Sequence, residues 1–356
     1  MARVDLTVMG AGIFGLSIAW EAARRGARVR LIEPVAIGAG ASGGLVGALA
    51  PHVPEQWNAK KAFQLESLLM AGGWWAAAEA TSGLASGYGR TGRLQGLADT
   101  QAVDLARARA GSAAALWGDA ARWQVRPARG LPWEPTSASG WLVEDDLSAR
   151  IQPKAALAVL VAAIRAQKGE VLVGDAAGMG PVDKGPVDTG PVIWATGVAG
   201  LQAMAAGGGV KGQAIAVKCA TPNFTTPNFT TTSAAQLFVA GLHIVPHADG
   251  TVAIGSTSEN QWDDPQQVDA LGEALLARAV AALPVLEGAG VVARWAGLRP
   301  RAASRAPLLG GWPGRAGHFV ANGGFKIGFG MAPKVAQVMV DLVLEGRDAI
   351  PEGFRA

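Results

Sequence analysis

A glycine fingerprint near the N-terminus limits this chain more than any other feature. Gly10-Ala-Gly12-Ile-Phe-Gly15 follows an apolar, strand-like run at 4–9 and opens a helical pattern over 13–25 that stops at Gly26. A second strand-like run at 27–33 ends on Glu33. Strand, glycine turn, helix and strand within roughly 30 residues make a βαβ unit. Gly10 permits the tight turn, Gly12 lets a pyrophosphate reach the backbone, and Gly15 lets helix and sheet pack closely. The first helical residues, Ile13 and Phe14, bring free N–H groups and the positive dipole end to the phosphates. Glu33 is placed to accept hydrogen bonds from ribose hydroxyls, and its charge would repel a 2′-phosphate, which argues against NADP. The fingerprint does not separate FAD from NAD.

The length of 356 residues suggests two domains. Apolar residues make up 50% and charged residues 17%, which excludes a disordered chain. The single cysteine, Cys219, excludes a disulfide framework and cysteine-rich metal sites, and four scattered histidines give no metal-binding spacing. The net charge of +3 is too small to argue for a nucleic-acid partner. The longest apolar runs, 6–20 and 155–164, fall short of the about 20 residues that span a membrane. Asp5 and the three spaced glycines also speak against a signal peptide, so a soluble cytoplasmic protein is expected. Further helices are expected at 59–80, 153–167, 266–283 and 333–344, and strands at 237–245 and 251–255. Periodicity is mixed over 87–141, and Gly207-Gly-Gly reads as a crossing into a second region. The Gly-Pro-Val repeats at 180, 185 and 190 and the doubled Thr-Pro-Asn-Phe-Thr at 221–230 read as surface loops. His247 and His318 read as turn residues.

Four later segments bring in a resemblance. They are Gly40-Ala-Ser-Gly-Gly44 through Gly47-Ala-Leu-Ala-Pro51, Val192-Ile-Trp-Ala-Thr-Gly197, Trp295-Ala-Gly-Leu-Arg-Pro300, and Gly323-Gly-Phe-Lys-Ile-Gly-Phe-Gly-Met-Ala-Pro333. In this order, after the fingerprint, they resemble the FAD-dependent D-amino acid oxidase superfamily, in the branch that contains glycine and sarcosine oxidases. The resemblance implies an α/β fold, with a Rossmann-type FAD-binding domain and a second α+β substrate domain on a mixed or antiparallel sheet. The expected boundaries are 1–85, 149–206 and 300–356 for FAD, with 86–148 and 207–299 for the substrate. It implies FAD contacts at Ser42, Gly43, Gly47, Ala48 and Leu49, at Ala177, Ala195 and Gly197, and at Gly324, Lys326, Ile327, Gly328, Phe329 and Gly330. Cys219 lies in none of these segments, so the FAD is expected to be non-covalent.

The same resemblance assigns the substrate carboxylate to Arg299, whose planar guanidinium suits it. It places Lys326 as a second cation, His243 and Ser258 in the pocket wall, and His52 beside the flavin loop. Where the family usually has an aspartate after the arginine segment, this chain has Ser304-Arg305, so Arg299, Arg301 and Arg305 crowd without a nearby acid. The implied chemistry is oxidation of the C–N bond of an amino acid or N-substituted glycine, by hydride transfer to flavin N5 and hydrolysis of the imine. Two alternatives stay open. One is an oxidase acting on a carboxymethylaminomethyl-uridine in tRNA, suggested by the spacing at 41–51. The other is a flavin-binding subunit of a larger dehydrogenase. The oligomeric state is not read from the sequence.

Overall fold

A computed structural model describes residues 4–174, 190–218 and 231–356. Ala177, Cys219 and the tandem repeats, apart from the last Gly-Pro-Val, lie outside the described residues. The βαβ unit consists of β1 (Leu6–Met9), α1 (Ile13–Arg24) and β2 (Val29–Glu33). All of β1 is buried, and so is every residue of α1 except Arg24. That is why the sequence is apolar on every side from Leu6 to Trp20: α1 is a central layer, enclosed by the sheet and other helices. Those helices are α4 (Pro153–Ala166) and α8 (Gly328–Glu345), with α2 (Ala59–Ser82) packed on both and reaching α1 through the Trp74 indole, which donates to Glu21 at 3.2 Å. Arg25 fastens α1 to α8 by pairing with Asp341 at 2.6 Å and with the buried Glu21 at 2.7 Å.

Two large sheets carry the chain. The first runs β15-β16-β9-β1-β2-β8, adding β8 (Glu170–Val173), β9 (Val192–Trp194), β15 (Leu308–Gly311) and β16 (His318–Asn322). It is parallel except for the β15–β16 pair. The second runs β14-β10-β13-β12-β11-β4-β6-β5. Its strands are β4 (Arg93–Gly96), β5 (Trp123–Pro127), β6 (Trp141–Asp145), β10 (Gly207–Lys218), β11 (Gln236–Val239), β12 (Leu242–Pro246), β13 (Thr251–Gly255) and β14 (Gly290–Ala302). All its pairs are antiparallel except β4 with β11. A separate core lies against it, where Leu275, Ala279 and Leu283 meet Ile215, Leu237 and Ile254.

Several local expectations change. The run at 237–245 is a hairpin, because Ala240 and Gly241 both have positive φ (51° and 75°), the signature of a tight two-residue turn. The stretch 266–283 holds two short helices, α6 (Ala270–Glu273) and α7 (Leu275–Ala282). The mixed region contains α3 (Thr100–Trp117), capped by Asp99, with a sparse buried stripe of Val103, Ala106, Ala113 and Trp117. Gly207–Gly209 is the start of β10, paired with Pro300–Ala302 on β14. The last helix starts at Gly328, five residues before Pro333, and Pro333 sits inside it. His247 opens the turn between β12 and β13, its carbonyl accepting the Gly250 N–H at 3.1 Å, whereas His318 is the first residue of a strand. His247 is buried, with Nε2 3.0 Å from the Leu45 carbonyl, and His318 on β16 receives the Trp194 indole N–H at Nδ1.

Candidate active site

The carboxyl ends of β1, β2, β9 and β16 open on one cleft of about 1730 Å³, walled on the other side by the eight-stranded sheet. In a parallel sheet this is where ligands bind, beyond the strand ends at the point where strand order reverses. The volume exceeds the roughly 300–1,000 Å³ of pockets for single small ligands and leaves room for a dinucleotide and a substrate together.

The nucleotide end is built by the fingerprint. A Cβ on Gly15 would stand 1.9 Å from the Gly10 carbonyl oxygen, so only glycine lets α1 start this close to β1. The Ile13 N–H donates to Ser42 Oγ at 2.9 Å, and the Gly12 Cα faces the same hydroxyl. The Glu33 carboxylate accepts from the Ala11 N–H at 2.8 Å and the Val35 N–H at 2.9 Å. Each oxygen keeps a further acceptor site, so Glu33 both ties down the turn and remains competent toward a ribose. Gly10, Gly12, Ile13, Phe14, Glu33, Ser42, Gly43, Gly47, Ala48, Ala195, Gly197, Gly324, Lys326, Gly328 and Phe329 all line the cleft. Gly15, Leu49, Ile327 and Gly330 do not line it. Leu49 and Gly330 are buried, and the Ile327 carbonyl accepts the first backbone bond of α8 from Met331. The first turn of α8 carries no acid, so its positive end faces the cleft uncompensated.

The other end of the cleft is cationic and aromatic. Arg299, on β14, is only 8% exposed. Its guanidinium lies where a Gly212 side chain would be, since a Cβ there would be 1.7 Å from the nearer terminal nitrogen. That nitrogen donates to the Thr257 carbonyl at 3.1 Å, and the group stands 5.6 Å from the centre of the Trp295 ring. Among the described residues it has no ion pair. Burial pushes its pKa down to about 10. Lys326 lines the same cleft, 5.6 Å from the Phe325 ring centre, and is pushed down by burial and by the Arg299 charge. His243, on β12, packs against Phe238 with ring centres 4.9 Å apart. Its Nδ1 has no partner among the described residues, and burial, with Arg93 and Lys326, pushes its pKa down to about 4.

Two expected pocket residues fall elsewhere. Ser258 is exposed and outside the cleft lining; Ser256, two residues earlier, lines it. His52 is also outside the lining, with its ring against Gln64. Arg305 does not line the cleft either, and its carbonyl accepts from Lys60. Sequence reasoning missed the α4 face of Pro153, Leu157, Ala158 and Val161, the floor formed by Gly212, and the Pro265-Gln266 loop. No local signal marks any of them, because each meets the site only through the tertiary fold. Among the described residues, no group of three His, Cys, Asp or Glu side chains could hold a metal, and no helix is long and apolar enough to cross a membrane.

A glycine cradle at the ends of parallel strands, joined in one cleft to a buried unpaired arginine, defines a dinucleotide-dependent enzyme of oxidation and reduction. The chain belongs to the DAO family of FAD-dependent oxidoreductases, whose profile matches residues 5–342, and FAD is its cofactor. Glycine oxidase from Pseudomonas putida is 38% identical over 135 residues, a match covering 38% of this chain and 34% of that protein. Glycine oxidase from Geobacillus kaustophilus is 28% identical over 96% of this chain and 93% of its own length. The bifunctional protein ThiO/ThiG of Nostoc is 26% identical over 96% of this chain, which spans 53% of that longer protein. In structure, the chain is similar to the Geobacillus glycine oxidase, with a TM-score of 0.81, 22% identity and coverage of 99% and 97% of the two chains. It is equally similar to iminodiacetate oxidase from Chelativorans, with a TM-score of 0.82, 20% identity and coverage of 98% of each chain.

Proposed function

We propose that this enzyme oxidises the C–N bond of an amino acid or N-substituted glycine. The observation that carries the proposal is the buried, unpaired Arg299 guanidinium, seated on Gly212 inside the cleft. A buried cation that no carboxylate touches among the described residues is costly, and a substrate carboxylate that completes it forms a charge-assisted, bidentate pair. Thr257 fixes one nitrogen and Trp295 backs the group, so the fork is oriented before the substrate arrives. When bound, FAD supplies the acceptor at N5 for the hydride that leaves the α-carbon, and water then hydrolyses the imine. His243 lines the cleft and stays neutral above about pH 4, so it adds no positive charge against the substrate amine. The labour divides by sheet. Residues 1–85, 149–206 and 300–356 hold FAD, while 86–148 and 207–299 hold the substrate. The matched glycine oxidases and the iminodiacetate oxidase, whose names denote oxidation of amino acids, support the same reaction class.

Two measurements test this. The purified protein should release FAD and not FMN, and its flavin should bleach anaerobically with some member of a panel of D-, L- and N-alkyl amino acids. Arg299→Met should keep FAD and lose roughly ten- to a hundredfold in kcat/KM, the worth of one charge-assisted bond. A flavin-replete protein that no amine bleaches would overturn the proposal.

A further inference from the structure

The proposal above uses one of the cations at the substrate end of the cleft. A second cation is left over. Lys326 lines the cleft, and among the described residues it has no ion pair. The Phe325 N–H beside it donates to the Pro300 carbonyl on β14 at 3.1 Å, so the loop that carries Lys326 is fastened next to the strand that carries Arg299. A third cation lies behind it. Arg301, two residues beyond Arg299 on the same face of β14, stands 5.8 Å from the Phe325 ring centre and among the described residues finds only the neutral Asn260 amide, at 3.2 Å. The carboxylate that acts on Arg299, Glu259, is already engaged: it accepts from Gln213 Nε2 at 3.0 Å and lies 4.0 Å from the buried Lys211.

Resting on that reading of the site, we infer that the substrate carries a second anionic group, received by Lys326 while Arg299 holds the α-carboxylate. One carboxylate on the buried Arg299 leaves the more exposed Lys326 without a counter-charge; a second supplies it. Such a substrate is an amino-dicarboxylic acid, with the second carboxylate either on the side chain or on the nitrogen substituent. The same arrangement discriminates against small neutral-armed amino acids, which would leave Lys326 facing Arg299 uncompensated.

The test uses the FAD-loaded enzyme and two readouts. In calorimetric or flavin-difference titrations at low salt, succinate or glutarate should bind at least about tenfold tighter than propionate. In Lys326→Met that ratio should fall to within about threefold, because Lys326 contributes only to the second carboxylate. In anaerobic rapid mixing, aspartate and N-(carboxymethyl)glycine separate the two positions of the second acid. One of them should reduce the flavin faster than alanine or sarcosine, and the preference should shrink in the same variant. Equal binding of mono- and dicarboxylates would overturn the inference, as would a ratio unchanged in Lys326→Met. In those cases bleaching by alanine or sarcosine would leave amine oxidation standing. An enzyme that no amine reduces would instead overturn the amine oxidation on which the inference rests.

Discussion

Gly212 carries no chemistry of its own, yet the seat of Arg299 in the cleft depends on it. The Arg299 guanidinium fills the volume a side chain would take, and the clashing atoms are the tip of a flexible side chain. Gly212→Ala should therefore fold and bind FAD normally, but push the guanidinium off its seat. The expected loss in kcat/KM is about ten- to a hundredfold, close to that of Arg299→Met, and steady-state kinetics on flavin-replete protein would measure it. Unchanged kinetics would mean that the seat does not matter. Arg299 was legible because it ends a recognisable motif, whereas Gly212 was not, since its partner lies far along the chain. His243 gives a pH prediction. Its folded-state pKa of about 4 lies below the ordinary 6.5, so the unfolded chain binds the proton more readily and stability falls as pH drops from about 6.5 toward 4. His52 and His247 are pushed the same way by burial. Melting temperatures between pH 7 and 4.5 should thus decline for the native protein, and less steeply for His243→Gln. Parallel curves would contradict the buried, neutral histidine.

Elements whose identity rests on local pattern were the most legible. The βαβ unit follows from spacing alone, because strand period, turn glycines and helix period fall within one short stretch. The hairpin of β11 and β12 was read as one strand because Ala240 and Gly241 interrupt the apolar run with no polar residue. The start of α8 was misplaced because proline usually marks a helix's first residue. Here it sits in the sixth position, forgoing one backbone bond to the Phe329 carbonyl so that the helix can begin at the cleft. At this scale the close seating of α1 is testable. Gly15→Ala would press a methyl group against the Gly10 carbonyl, which is backbone and cannot swing aside. The expected cost is roughly 1–3 kcal/mol of overpacking, together with weaker FAD retention. Thermal melts and the ratio of flavin to protein absorbance would measure both effects. A variant that keeps native flavin content and melting temperature would show that the helix can retreat at no cost.

At the scale of the whole molecule, the two-sheet plan was legible through the order of motifs, but the pairing inside each sheet was not. Pairing joins segments far apart, as in β4 with β11 and β9 with β16, and nothing local encodes the partner. That interleaving has a consequence for how the enzyme is made. The nucleotide fingerprint leaves the ribosome long before the strand that flanks β9 and the loop at 323–329 that completes the cleft. At 5–20 residues per second, the roughly 290 residues between β2 and β16 hold the first unit in waiting for about 15–60 s. Through that interval an apolar α1, which ends up enclosed by α4 and α8, has no complete layer to cover it. Ribosome-arrested chains stopped at residue 300 should therefore bind chaperones and fail to retain FAD despite carrying the whole fingerprint, whereas chains arrested with residue 356 clear of the exit tunnel should take it up. Flavin capture by the shorter chain would mean that the early half matures alone. Otherwise the coenzyme finds its place only once β16 and the loop behind it have emerged, so half-made chains do not compete with finished enzyme for it.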